Sequence, residues 1–299
     1  MKRIASVLVG AVLLSLGLCA SAQPSSDVTR AVVNLSSCFV RSEPSYEAGL
    51  DTQARMGDVV EVLDEDRYWR RVATPEPYEG WTTEMAIVMM SAEELEAYES
   101  APKFMCIAEY SHIFTNPSSD ADRLCDFVMG DVVRKGGISF DGWSNVVLPD
   151  GRQGWVEAGT VQDLAEWTAS RECTSDNVIA LAKKFLGVPY MWGGISPKHF
   201  DCSGLTRFCF MMNGMQLPRD CSQQIKEGCE VPFDFAKMKP GDLVFFGNPG
   251  TGSPSHVGIY MGGGKMIHSS QMVRINSLKK GRPDSYEGKP VIAVRRIIN

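Results

Sequence analysis

One short string occurs twice. Met56-Gly57-Asp58-Val59-Val60 returns as Met129-Gly130-Asp131-Val132-Val133, Trp69 returns as Trp143, and Gly80-Trp81 as Gly154-Trp155, at offsets of 73 to 74 residues. A fixed period of this size implies two copies of one small unit. Inside each copy, short β-rich runs such as Val59 to Leu63 and Trp69 to Ala73 are broken by Gly, Pro, Asp and Asn turns, which predicts a small barrel. Between the copies, Ser91 to Tyr98 reads as a short helix with Ser91 as its cap and Glu94 at the third position, closed by Pro102. The expected division is a leader over 1–22, barrels over 23–90 and 104–172, a helical linker over 91–103, and a third unit over 173–299.

The leader is read from charge and size. Lys2 and Arg3 precede an apolar run from Ile4 to Leu18, and Ala20-Ser21-Ala22 fits a small-x-small cleavage site, the pattern of an export signal. The run is short for a membrane span, so no span is expected in the mature chain. Leu18 is large where lipidation of Cys19 requires a small residue, which argues against a lipid anchor; an export signal with no evident sorting motif is compatible with periplasm or secretion, and the periplasm is the location expected first. Loss of two cations with the leader takes the net charge from −6 to −8, a balance that argues against a nucleic-acid binder. Of the nine cysteines, Cys19 leaves with the leader; the rest are irregularly spaced, which argues against a zinc cluster. Cys209, Cys221 and Cys229 read as small buried thiols, while pairing among Cys38, Cys106, Cys125 and Cys173 is open in an oxidising compartment.

The third unit carries the chemistry. It opens with Thr174-Ser175-Asp176-Asn177 and the apolar series Val178, Leu181, Ala182, Phe185, Leu186, a capped amphipathic helix ended by Gly187. Tyr190-Met191-Trp192-Gly193-Gly194 cannot be a regular element, whereas Leu205, Phe208, Cys209 and Met212 form one apolar helical stripe. Cys202 therefore stands at a helix start, where unpaired N–H groups favour a thiolate and can hold an oxyanion. Ser255 to Met261 alternates, with Val257, Ile259 and Met261 on one face and His256, Gly258 and Tyr260 on the other. If Gly262-Gly263-Gly264 is a three-residue hairpin loop, Met261 pairs with Lys265 and His268 is the diagonal neighbour of His256. Such a placement suits a base and the group that orients it. Strands are expected over Leu243 to Phe246, His256 to Met261, Lys265 to Ser270, Val273 to Leu278 and Val291 to Ile297. Asp201, Ser203, Arg219, Asp220 and Ser222 fall on loops near this cleft; Asp201 can cap the helix, and Arg219 with Asp220 can form an ion pair.

The order Tyr190-Met191-Trp192-Gly193-Gly194, Asp201-Cys202-Ser203-Gly204, Leu217-Pro218-Arg219-Asp220, Lys239-Pro240-Gly241-Asp242-Leu243-Val244-Phe245-Phe246, His256-Val257-Gly258-Ile259-Tyr260 resembles the NlpC family of papain-like cell-wall cysteine peptidases. The two copies resemble bacterial Src-homology-3-like domains. The fold class expected is an α+β papain-like domain preceded by two small all-β barrels. The resemblance implies Cys202 as nucleophile, His256 as base, His268 as the third polar residue, and Tyr190 beside the oxyanion. It also implies a substrate site near Trp192 and the loop residues just named. In alignment of the copies, Glu43 falls opposite Asn116 and Tyr78 opposite Arg152, so only the first copy offers an acid and a tyrosine there. In the two-barrel subgroup such a pair binds the free amine of L-alanine, a role that would fall to Glu43 and Tyr78. The implied partner is a murein stem peptide, cut between D-γ-glutamate and the diamino acid without metal or other cofactor. An amidase or acyltransferase on the same scaffold, and an inactive wall-binding module, are the alternatives.

Overall fold

The computed structural model describes residues 29–75 and 78–298, so the leader lies outside the described residues. Two seven-stranded antiparallel sheets account for the repeat. In the first, the order is Leu50–Ala54, Cys38–Arg41, Glu79–Thr83, Trp69–Ala73, Val59–Asp66, Arg30–Val33, Ile87–Met90. In the second it is Arg123–Val128, Tyr110–Phe114, Gln153–Glu157, Trp143–Val147, Val132–Phe140, Lys103–Cys106, Val161–Asp163. The strand order is identical. Each barrel also ends in a helix. The first, Ala92–Ser100, has the expected capping box between Ser91 and Glu94. The second, Leu164–Ser170, was not legible in the sequence; Asp163 caps it by accepting from the Ala165 and Glu166 N–H groups.

The repeated Met-Gly-Asp strings are joints. Gly57 N–H donates to Val33 C=O and Gly130 N–H to Cys106 C=O, so both strings form the same tight turn, with φ of +92° and +96° at the glycines. Met56 is fully buried in the core of the second barrel among Ile113, Phe127 and Val133. Met129 is buried in the peptidase core with Val178, Leu205 and Phe208. A Cβ on Gly57 would stand 2.4 Å from Val132 O, and one on Gly130 3.0 Å from Phe208 Cε2. Each turn is thus pressed against the next unit.

The peptidase unit packs helices on a six-stranded antiparallel sheet of order Cys229–Glu230, Val291–Arg296, Leu243–Asn248, Ser253–Gly262, Lys265–Ser270, Met272–Ser277. Helix Ser175–Lys184 is capped by Thr174 and stops before Leu186, which is exposed. Helix Cys202–Met212 is buried on every side, not along one stripe: sheet, barrels and neighbouring helices close around it. The hairpin after Ser253–Gly262 is tighter than expected. Gly262 pairs with Lys265, and the shift between Tyr260 and Gly262 restores Tyr260 opposite Met266 and Ile259 opposite Ile267. The predicted register at the histidines therefore stands without a Met261–Lys265 pair. Nor is the histidine face a polar one, since Val244, Phe246, Tyr260 and Met266 form a second apolar layer there.

The described cysteines are all free thiols.

Candidate active site

Cys202, Tyr190, Trp192, Asp201, Ser203, Arg219, Asp220, Ser222 and Tyr78 converge on one cleft of about 380 Å³, together with Asp51, Cys221, Pro254 and Ser255. Glu43 is exposed and is not among the lining residues. The acid that the first barrel places in the cleft is Asp51. Its carboxyl is held above the usual range by burial and by the neighbouring Asp220. Glu43, the acid to which the alignment of the copies pointed, lies on the bend before the strand Leu50–Ala54, whereas Asp51 lies on that strand. Tyr78 does reach the cleft, and its hydroxyl donates to Asp220 Oδ2.

Arg219 pairs with Asp201 rather than with Asp220. Its Nη2 lies 2.5 Å from Asp201 Oδ2, its Nη1 donates to Ser203 Oγ at 3.1 Å, and its Nε donates to Thr52 Oγ1 of the first barrel at 2.9 Å. Asp201 also accepts from the Gly204 N–H at 2.7 Å and the Gly193 N–H at 3.0 Å. It caps the helix and is already saturated, so its carboxylate belongs to the frame of the cleft. Gly204 is glycine for want of space, because a Cβ there would stand 2.0 Å from Gly194 O. Burial pushes the Tyr190 hydroxyl up to about 12, which keeps it a neutral donor.

The thiol of Cys202 is within hydrogen-bonding reach of both His256 and the Cys221 thiol. The Cys221 contact and burial hold the Cys202 thiol well above its ordinary range, against the lowering pull of His256. The pull towards a thiolate expected from the helix start is thus opposed by burial and by the Cys221 contact, and the same contact lowers Cys221.

Beyond Cys202 the polar chain continues inward. His256 Nε2 and His268 Nδ1 are 2.6 Å apart, and His268 Nε2 is 2.8 Å from Asn276 Oδ1. Gly258 makes room for this, since a Cβ on it would lie 3.0 Å from His268 Cβ. Burial holds His268 at about 4, so it is neutral at physiological pH. Tyr286 stacks on His256 at 5.5 Å between ring centroids and presents its edge to His268 at 5.3 Å. Sequence reasoning missed Asn276, Tyr286, Cys221 and Asp51. Only Asn276 carried a signal, being polar and in step with Arg274 on a strand already predicted. His199 sits in the small hairpin Ile195–Ser196/His199–Phe200 and lines no part of the cleft.

A buried thiol, a histidine with a polar partner and neighbouring donors can carry nucleophilic acyl transfer. Known proteins agree with that chemistry. Residues 187–289 match the NlpC/P60 family, and residues 40–87 match the bacterial dipeptidyl-peptidase Sh3 domain. The chain is 32% identical over 235 residues to the gamma-D-glutamyl-L-lysine dipeptidyl-peptidase of Bacillus cereus, covering 75% of this chain and 68% of that one. It is 28% identical over 253 residues to dipeptidyl-peptidase 6 of Lysinibacillus sphaericus, covering 81% and 89%. In fold it resembles the crystal structure of an NlpC/P60 family protein from Bacillus cereus, with a TM-score of 0.75, 24% identity, and coverage of 90% and 100%. Two all-β units, a papain-like third unit and these relatives together place the chain in the NlpC/P60 family, as a cell-wall cysteine peptidase.

Proposed function

We propose that the enzyme hydrolyses the D-γ-glutamyl-L-diamino acid bond of murein stem peptides that keep a free N-terminal L-alanine. The observation that carries this reading is the acidic end of the cleft, where Asp51 of the first barrel stands near Asp220 beside Tyr78. The like-charge neighbour that raises Asp51 is offset by an ammonium placed between the two carboxyl groups. A stem peptide still joined to its sugar through that nitrogen brings no such charge, so the cleft would select released peptides. The names of the relatives agree with a γ-D-glutamyl bond; a diamino acid other than theirs would leave the chemistry at the thiol unaltered.

In this mechanism the substrate carbonyl enters above Cys202. His256 takes the thiol proton as sulfur attacks, so the charge forms on the substrate oxygen and not on a resting thiolate. The Cys202 N–H and the Tyr190 hydroxyl hold that oxygen. His256 then returns the proton to the leaving amine, and water, deprotonated by the same imidazole, releases the acyl group from sulfur. These steps call on no metal or organic cofactor.

The test is mass spectrometry of products from L-Ala-γ-D-Glu-diaminopimelate and from its N-acetyl form. Cleavage of the free peptide alone, lost in Cys202→Ala, is the expected result. Equal cleavage of both forms would remove amine selection, and no cleavage of either would turn attention to amidase chemistry.

A further inference from the structure

The hydrogen bonds behind His256 have fixed directions, and their origin is a backbone carbonyl outside the cleft. Asp284 C=O can only accept. Asn276 Nδ2 lies 2.8 Å from it, so the amide turns its NH₂ to Asp284 and its Oδ1 to His268. Oδ1 can only accept, so His268 Nε2 must carry a hydrogen. A neutral His268 then has a lone pair at Nδ1, and His256 Nε2, 2.6 Å away, must donate to it. In a neutral His256 the other nitrogen, Nδ1, then has a lone pair, and with Nε2 committed to His268 it is the nitrogen left for the hydrogen bond with the Cys202 thiol. We propose that Asn276 is a positioning residue which, oriented by the Asp284 carbonyl, sets the tautomers of both histidines and so presents His256 Nδ1 to Cys202 as a base.

The surroundings hold this arrangement in place. The Asp284 carbonyl also accepts from Ser277 N–H at 2.8 Å, and Tyr286 N–H donates to Ser277 C=O at 2.9 Å. The segment 284–286 is therefore pinned to the edge strand Met272–Ser277, and it both orients the Asn276 amide and lays the Tyr286 ring on His256. The titratable and charged groups facing the two imidazoles are Cys202, Tyr286 and Arg274, the last paired with His268 across the strands. Among the described residues, the hydrogen bond made at His268 Nε2 is the one to Asn276 Oδ1. With that acceptor removed, His268 is free to carry its hydrogen on Nδ1, which would reverse the His256 bond and put a hydrogen on the nitrogen that should receive one.

The kinetic part of the test rests on the thiol-peptidase reading; the spectroscopic part does not. Ring ¹⁵N shifts in full-length wild type should report Nε2–H on both His256 and His268. In Asn276→Leu, His268 should move to the Nδ1–H form, and kcat for the free peptide should fall at least about 100-fold with KM little changed, the signature of a misplaced proton on the base. Asn276→Asp keeps an acceptor at the same place; it should hold kcat within about tenfold and move the acid limb of the pH profile upward, because a carboxylate favours a charged His268. Wild-type tautomer signals retained in Asn276→Leu would overturn the proposal, as would equal losses of kcat in the two variants. If Asn276→Leu does not fold, an Nδ1–H signal for His268 in the wild type is sufficient to overturn it. Correct tautomers in a protein that cleaves no murein peptide would count against the peptidase substrate alone.

Discussion

Thr52 Oγ1 accepts a hydrogen bond from Arg219 Nε at 2.9 Å, so a hydroxyl of the first barrel holds the guanidinium that clamps Asp201 beneath the thiol. Both residues are buried. Thr52→Val removes the acceptor at nearly constant volume and leaves a charged donor unpaired. Destabilisation of about 1–3 kcal/mol is expected in urea unfolding, with a fall in kcat/KM from the shifted Asp201. An unchanged unfolding midpoint would show that the barrel contact carries no weight.

Two acids of the first barrel, Asp51 and Glu43, have different fates. Asp51→Asn should raise KM for the free-amine peptide about 10- to 100-fold, the loss of a close charge pair, and leave the N-acetyl peptide unaffected. Glu43→Gln should change neither, because Glu43 is exposed and outside the lining of the cleft. Steady-state kinetics on both peptides reads the difference; a Glu43→Gln defect with an indifferent Asp51→Asn would restore the sequence alignment.

Stability should depend on pH through His268. Its imidazole is held at about 4 when folded, below the 6.5 of the free side chain, so the unfolded chain binds more protons between these values. The contribution is therefore complete above about pH 6.5 and is lost as pH falls towards 4, by about 3 kcal/mol in total. Urea unfolding from pH 7 to pH 4 should show a flatter profile for His268→Gln than for the wild type. Parallel profiles would place the proton elsewhere.

Cys221 tunes its neighbour. With Cys221→Ala the upward pull on the Cys202 thiol is removed and the lowering contact with His256 remains. Alkylation of Cys202 by iodoacetamide at pH 7, followed by peptide mass mapping, should become faster in the variant. A slower reaction would mean that Cys221 helps to deprotonate its partner.

Much of this was legible in the sequence, for identifiable reasons. The barrels were found because a repeat needs only self-comparison, and Cys202, His256 and His268 because a helix start and a β alternation fix where side chains lie. Asp51 escaped because its place in the cleft depends on how the first barrel leans on the third unit, a relationship without local periodicity. Helix Leu164–Ser170 was missed because Trp167 is buried in a core shared between its own barrel, through Met105 and Met129, and the peptidase unit, a burial that depends on how the two units meet. The fully buried helix Cys202–Met212 read as amphipathic since Thr206 and Arg207 look like a solvent face; Thr206 in fact meets the buried Gln224 at 2.7 Å.

The Met56 and Met129 turns give the chain a direction. Each barrel closes the hydrophobic interior of the next unit along the chain, much as a stopper seals a flask, and neither seal is supplied by the unit that needs it. Deleting the first barrel would therefore do more than strip Asp51 and Tyr78 from the cleft. It would leave a methionine-sized void in the second barrel, whose own turn positions the wall of the peptidase, so that damage at one end travels to the thiol through two successive joints.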